Sequence, residues 1–186
     1  NMFGFSFNDQ VNYAVSDLHW NSVGFGTNFL LIPSNSPMLV DGNFSYSSYK
    51  IALQETDEKE RFSKISGFNV GFDFTYFLGK DELKYGIDVL GFETDFRFFN
   101  QLNREIEQND FTTELGVYVK YKKTFKKFIF EPSFRLQYYA SLSTPSFEPR
   151  LGMKLNATEK LRFKFAGGFY SQNLISAVSD RDVVNL

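Results

Sequence analysis

Apolar and polar residues alternate with a period of two along most of the chain. Phe68, Val70, Phe72, Phe74, Tyr76 and Leu78 are separated by Asn69, Gly71, Asp73 and Thr75, with Phe77 the exception. Phe111, Leu115, Val117, Val119 and Tyr121 alternate with Thr112, Glu114, Gly116, Tyr118, Lys120 and Lys122. Phe128, Phe130, Phe134, Leu136 and Tyr138 do so with Glu131, Ser133, Arg135 and Gln137. Two more runs follow: Phe147, Leu151, Met153 and Leu155, then Leu161, Phe163, Phe165 and Phe169. Successive side chains of a strand point to opposite sides, so each run predicts a strand with two unlike faces. No segment shows a competing helical period. Segments near 2–7 and 20–32 are less regular predicted strands, and the total is about eight or nine.

Two segments change phase. In 83–98, Leu83, Tyr85, Ile87 and Val89 share one register, whereas Leu90, Phe92, Phe96 and Phe98 share the other. A bulge near Leu90 or Gly91 would reconcile the halves. Residues 39–53 shift similarly, from Phe44 and Tyr46 to Tyr49, Ile51 and Leu53. Tight turns are predicted at Gly79–Glu82, Phe125–Lys127, Ala157–Lys160 and Ser34–Pro37. Longer polar loops are predicted at Glu55–Phe62, Asn100–Asp110 and around Ser143-Thr144-Pro145. Short turns at one end and longer loops at the other describe an up-and-down antiparallel sheet, as in transmembrane barrels.

Composition narrows the choice. Of 186 residues, 19% are aromatic, with 24 Phe and 10 Tyr, a share that favours strands over a Leu-based bundle. Mean hydropathy is −0.29, and no run approaches the ~18 apolar residues of a spanning helix. Cysteine is absent and His19 is the single histidine, so thiol chemistry and a multi-histidine zinc site are excluded. A net charge of −2 gives no global field for nucleic acid.

Alternation alone does not say which face is inside, since a soluble barrel hides the apolar face and a membrane barrel turns it to lipid. From 111 to 169 the apolar register carries no charge. The opposite register holds Glu114, Lys120, Lys122, Glu131, Arg135, Glu148, Arg150, Lys154, Arg162 and Lys164. A charge facing mid-bilayer lipid costs about 2–4 kcal/mol, so a clean apolar register crowded with Phe favours the membrane. The register of Val117, Val119, Phe130, Phe134, Phe163 and Phe165 is expected to face lipid. Arg at Val117 or Phe165 is then expected to block assembly, and Arg at Gln137 to be tolerated.

Three stretches carry a resemblance: Gly42-Asn43-Phe44-Ser45-Tyr46-Ser47-Ser48-Tyr49-Lys50, Glu82-Leu83-Lys84-Tyr85-Gly86-Ile87, and Phe147-Glu148-Pro149-Arg150-Leu151-Gly152-Met153-Lys154. The last leads through a turn into Leu161–Asn173, ending Tyr170-Ser171-Gln172-Asn173. From about Asp41 onward the chain resembles the barrel of a TonB-dependent outer-membrane receptor. The resemblance implies an all-β fold, an antiparallel up-and-down transmembrane β-barrel segment of about eight or nine strands within a 22-stranded barrel. Residues 1–186 would form one barrel segment, with the plug domain and remaining strands outside it. The implied function is import of a siderophore, glycan or similar nutrient. The implied partners are outer-membrane lipid and, through the plug, the TonB system, with no nucleic acid and no cofactor. A stand-alone small outer-membrane barrel (adhesin or structural) and a soluble ligand-binding barrel are the alternatives.

No enzyme is expected, and no catalytic, metal or ligand-binding residue is assigned. His19 beside Trp20 reads as an interfacial aromatic pair or a loop residue. Asp180-Arg181-Asp182 and Asp57-Glu58-Lys59-Glu60-Arg61 read as hydrated loops. Lys120, Lys122, Lys123, Lys126 and Lys127 could be imagined as a phosphate patch. Glu114, Glu131 and Glu148 could be imagined as paired acids for glycoside hydrolysis. Arg135, Arg150, Arg162 and Lys164 share the register of those acids, so cross-strand ion pairs explain them without catalysis.

Overall fold

The computed structural model describes residues 1–56, 58–100, 102 and 104–172. Among the described residues nine strands form one antiparallel sheet in chain order: β1 (Met2–Asn12), β2 (Ser16–Leu31), β3 (Met38–Glu55), β4 (Arg61–Leu78), β5 (Asp81–Phe99), β6 (Glu105–Phe125), β7 (Phe128–Tyr139), β8 (Thr144–Asn156) and β9 (Arg162–Gly168). Each strand pairs with its sequence neighbours. β1 and β9 do not pair with one another, so the sheet of the described residues is open.

The expected bulges are absent. β4 and β5 pair without slip from Phe62↔Arg97 to Leu78↔Asp81, and β5 and β6 from Phe99↔Glu105 to Glu82↔Lys122. β3 is equally continuous against β2 and β4. The phase changes are therefore changes of surroundings along straight strands. In β5, Leu83, Tyr85, Ile87 and Val89 share a face with Glu93, Asp95 and Arg97 further along. Leu90, Phe92 and Phe96 lie on the reverse face, among the polar positions of the other half. A membrane strand needs only about 9–11 residues, whereas β5 has 19 and β6 has 21. Strands this long outrun an apolar layer, and beyond it the same face meets water.

The same extension shortens the predicted loops. Glu55–Phe62 contracts to a connection over 56–60, and Asn100–Asp110 to one over 100–104. The stretch around Ser143 becomes a 3-10 turn, Ala140–Leu142, leading straight into β8. At the other end the turns at 79–80 and 126–127 are tight as predicted, whereas the connections over 32–37 and 157–161 have six and five residues and are no shorter than the loops opposite. Gly79 takes φ +67° and Lys126 φ +41° in two-residue connections, and only glycine adopts such angles without strain.

The two faces differ in burial. Of the eight buried hydrophobic or polar side chains, Thr75, Thr94, Phe96, Gln137, Tyr139 and Glu148 belong to the mainly polar face. Phe134, Val117, Val119, Phe163 and Phe165, on the other face, stay exposed. A curved sheet crowds side chains on its concave side, so the polar face is the inner one. There is no conventional apolar core: among the described hydrophobic residues only Ala52, Phe96 and Tyr139 are buried. The outer face carries an apolar band, Phe68–Tyr76 in β4, Leu83–Val89 in β5 and Leu115–Tyr121 in β6, without a charge at any outward position. Aromatic pairs tie neighbouring strands across it, with Phe74 stacked on Tyr85 at 5.2 Å between centroids.

Candidate functional site

The inner face holds a cross-strand network of charges. Asp73 of β4 accepts a hydrogen bond from the Tyr118 hydroxyl of β6 and lies 3.3 Å from Lys84 Nζ of β5. Tyr118 reaches Asp73 by passing over Gly86. A Cβ there would sit 2.5 Å from Asp73 Oδ1 and 2.7 Å from Tyr118 Cε1. Asp88 of β5 pairs with Arg135 Nη2 of β7 at 3.1 Å across Gly116 of β6, where a Cβ would meet both partners. Arg135 Nε donates to Gln137 Oε1 at 2.9 Å, and Gln137 Nε2 donates to Glu114 Oε2 at 3.2 Å. Two glycines opposite charged residues are what allow side chains to bridge next-nearest strands.

Glu148 of β8 is the most enclosed of these groups, at 2% exposure. Its Oε1 accepts from the Ser171 backbone N–H at 2.8 Å and from the Ser171 hydroxyl, and its Oε2 takes Arg150. The Arg150 guanidinium also lies 4.5 Å over the Tyr170 ring. Towards the turns, Lys120 pairs with Glu131 and Lys122 with Glu82, each at 3.5 Å. A groove of about 480 Å³ runs along Asn28, Asp41, Asn43, Asn69, Asp73 and Asp88. Another of about 350 Å³ is lined by Glu114, Gln137, Glu148, Arg150 and Ser171.

These placements agree with the reading of the acids and lysines as cross-strand pairs. Glu114, Glu131 and Glu148 do share the inner face, but each is engaged by its own donor rather than by another acid. Of the lysines, Lys120 and Lys122 face inward and are neutralised. Lys123 lies on the outer face beside Asp81, and Lys127 donates to the Ala157 carbonyl at 3.2 Å. Gln137 is only 6% exposed and donates and accepts within the network, which makes it a poor place for an added cation. The expectation that Arg there is tolerated is therefore withdrawn.

His19 and Trp20 both lie within β2, on opposite faces, His19 opposite Gln10 and Ala52 and Trp20 opposite Asp9 and Ile51. They form neither a pair nor a loop. Arg61 contacts Glu55 and, at 3.9 Å, Glu58, while Lys50 reaches Glu60 at 3.6 Å. Asp57 and Asp180-Arg181-Asp182 lie outside the described residues. Sequence reasoning did not single out Asp73, Asp88 and Tyr118 as a cluster. Their spacing along each strand marks only the face, and the register between strands is what brings them together.

No family model matches the sequence, and no curated protein does. Solved structures do. The outer membrane transporter YddB from Escherichia coli is similar at TM-score 0.60 and 7% identity, over 84% of this chain and 27% of YddB. A mutant of the ferric enterobactin receptor PfeA from Pseudomonas aeruginosa gives TM-score 0.61 at 7% identity, over 82% of this chain and 25% of the receptor. The ferric citrate transporter FecA gives 0.55 at 12% identity, over 81% and 27%. The chain thus spans about a quarter of the length of the structures it matches. At such identities the likeness is one of fold. The nine-stranded up-and-down sheet has the fold of part of a β-barrel of the outer-membrane transporter type.

Proposed function

We propose that the chain is a stretch of the barrel wall of a TonB-dependent importer of the outer membrane, within a barrel of 22 strands. The observation that supports this most directly is the division of the sheet. A charge-free apolar band crosses the outer face, and over β4–β8 a pairwise-neutralised polar network lines the inner face. Hydrocarbon tolerates the first and not the second. The inner network would then line a hydrated lumen or a plug, and the cargo would be a siderophore, glycan or similar nutrient. The likeness to transporters rather than enzymes agrees with a non-catalytic role.

This chain has no cysteine, and the test is made on the whole protein with any cysteine elsewhere replaced by serine. Single Ser47→Cys and Val117→Cys variants of the whole protein are expressed in a Gram-negative host and treated with a membrane-impermeant maleimide. Ser47→Cys is expected to label and Val117→Cys to stay unreactive until detergent is added. Equal labelling of both in intact cells would overturn the wall assignment. Nutrient uptake that persists unchanged after deletion of the TonB system would overturn the energised-import reading.

A further inference from the structure

Three phenylalanines break the polar character of the inner face. Phe3, Phe5 and Phe7 alternate along β1 with Gly4 and Ser6, and pairing with β2 sets them opposite Gly26, Gly24 and Ser22. The rings of Phe3 and Phe5 spread over those glycines. A Cβ on Gly26 would lie 2.5 Å from Phe3 Cε1, and one on Gly24 2.5 Å from Phe5 Cε1. A ring laid over a glycine lies along the sheet and turns its free face away from it. Phe3 is 62% exposed, Phe5 51% and Phe7 50%. At strand spacing the rings recur about every 7 Å.

The surroundings decide what such a platform could hold. The inward positions of β1, β2 and β3 carry no Lys or Arg; their charges are Asp9, Asp41 and, at the far end of β3, Glu55, which takes Arg61 of β4. Ser45, Ser47, Asn28 and Asn43 supply hydroxyls and amides beside the rings, and the groove at Asn28 and Asn43 continues from them at a volume ordinary for ligand sites. The one cation lining that groove, Arg135, is held by Asp88 at 3.1 Å, and an anion would meet Asp41, Asp73 and Asp88 beside it. A wholly apolar ligand would strand the amides without partners. A neutral ligand with apolar C–H faces and a rim of hydroxyls satisfies both kinds of surface.

From this we infer that the inner face of β1–β3 is a binding track for neutral oligosaccharides. Sugar faces stack on Phe3, Phe5 and Phe7, and hydroxyls bond to the Asn and Ser side chains. The inference rests on the barrel-wall reading, which makes this face the lumen, and it names the substrate class.

The test is calorimetric titration of the whole protein in detergent. The probes are maltohexaose, cellohexaose and mannohexaose as neutral ligands, hexagalacturonate as an anion and chitosan hexamer as a cation. At least one neutral hexamer is expected to bind more tightly than either charged one. Phe3→Ala and Phe5→Ala are each expected to weaken it roughly two- to tenfold, the scale of one aromatic stack. Phe5→Trp should preserve binding, Gly24→Val should mimic Phe5→Ala by lifting the ring, and Phe165→Ala on the outer face should change nothing. Heat-modifiable gel migration confirms that each variant is folded. Tighter binding of a charged hexamer, no binding of any neutral one, or binding indifferent to Phe3→Ala and Phe5→Ala would overturn the inference. The Ser47→Cys and Val117→Cys labelling separates the two failures. Correct labelling with no sugar binding removes this inference alone, whereas reversed labelling removes the wall reading beneath it.

Discussion

Across β4–β8 each inner carboxylate lies beside a cation or a hydrogen-bond donor: Asp73 with Lys84 and Tyr118, Asp88 with Arg135, Glu114 with Gln137, Glu148 with Arg150 and Ser171. Across β1–β3 the inner face offers four exposed rings (Phe3, Phe5, Phe7 and Tyr49), amides, hydroxyls and three carboxylates, with no Lys or Arg among its own inward positions. The outer faces of the two regions are more alike, with Phe25, Phe29 and Phe44 continuing the apolar character of Phe68 and Phe72. One wall thus carries a lateral lattice on one side and, on the other, a more sparsely bonded surface in which Asn43 Nδ2 donates to Asn69 Oδ1 at 3.1 Å and Glu55 takes Arg61. Apart from the enclosed Glu148, the lattice is made of part-exposed pairs, each worth about 0–1 kcal/mol. It fixes where side chains lie more than it stabilises the sheet, and it leaves little for a ligand to claim. The β1–β3 surface has not spent its hydrogen-bonding capacity in this way.

The largest expected effect tests the assumption shared by both regions, that the outer face meets lipid. Val117→Arg places a cation in the middle of the apolar band and is expected to cost about 2–4 kcal/mol, enough to prevent accumulation of assembled barrel. Ser47→Arg, inward and exposed on β3, is expected to stay within about 0.5 kcal/mol. The measurement is the amount of heat-modifiable protein in outer-membrane fractions. Equal amounts for the two variants would remove the distinction between faces.

A second pair of variants sets the regions against each other. Glu148→Ala takes away the acceptor for Ser171 and leaves Arg150 without its partner in a largely enclosed site, at a cost of about 1–3 kcal/mol. Asp41→Ala, exposed on β3, is expected to change stability by less than about 0.5 kcal/mol. Urea unfolding from detergent-solubilised protein reads both. Comparable losses would mean that the two inner faces do not differ in the way described.

How much of this was legible in the sequence depended on whether a strand kept one environment along its length. β6, β7 and β8 do so over most of their span, and a single register collected their charges, so faces could be assigned from the string. In β3 and β5 the environment changes past the apolar band, and Tyr49, Ile51, Phe92 and Phe96 imitate a register slip that pairing rules out. β1 was harder still. Phe3, Phe5 and Phe7 look like a lipid-facing run, and only the connection over 13–15 and the pairing of Phe5 with Gly24 turn them inward. The network of Asp73, Asp88, Tyr118 and Arg135 joins four strands, a relation that no single strand's spacing contains.

The smallest expected effect lies below the apolar band at the turn end, where the inner lattice has an outer-face counterpart. The Lys123 ammonium donates to Asp81 across β5 and β6, and the Thr124 backbone N–H adds a bond to Asp81 Oδ1 at 3.0 Å. The Lys123 hydrogen bond, with that of Thr124, holds the Asp81 carboxyl below its ordinary 3.8, and Asp81 in turn raises Lys123 above its ordinary 10.5. A carboxyl with a depressed folded-state pKa stabilises fully above its unfolded value, and that contribution is lost as pH falls through the folded value. A lysine raised in the folded state contributes below its unfolded value and loses the contribution as pH rises through the folded one. The pair is therefore level between about pH 5 and pH 9, and its acid limb lies below pH ~4. Urea unfolding from pH 2 to 7 should show Asp81→Asn and the parent converging at the acid end and separating to a constant, small difference above pH 5. Because the Lys123 side of the pair is part-exposed, 0.5 M salt should shrink that difference. A separation that instead grows as pH falls would mean that Asp81 is not the stabilised carboxylate the geometry describes.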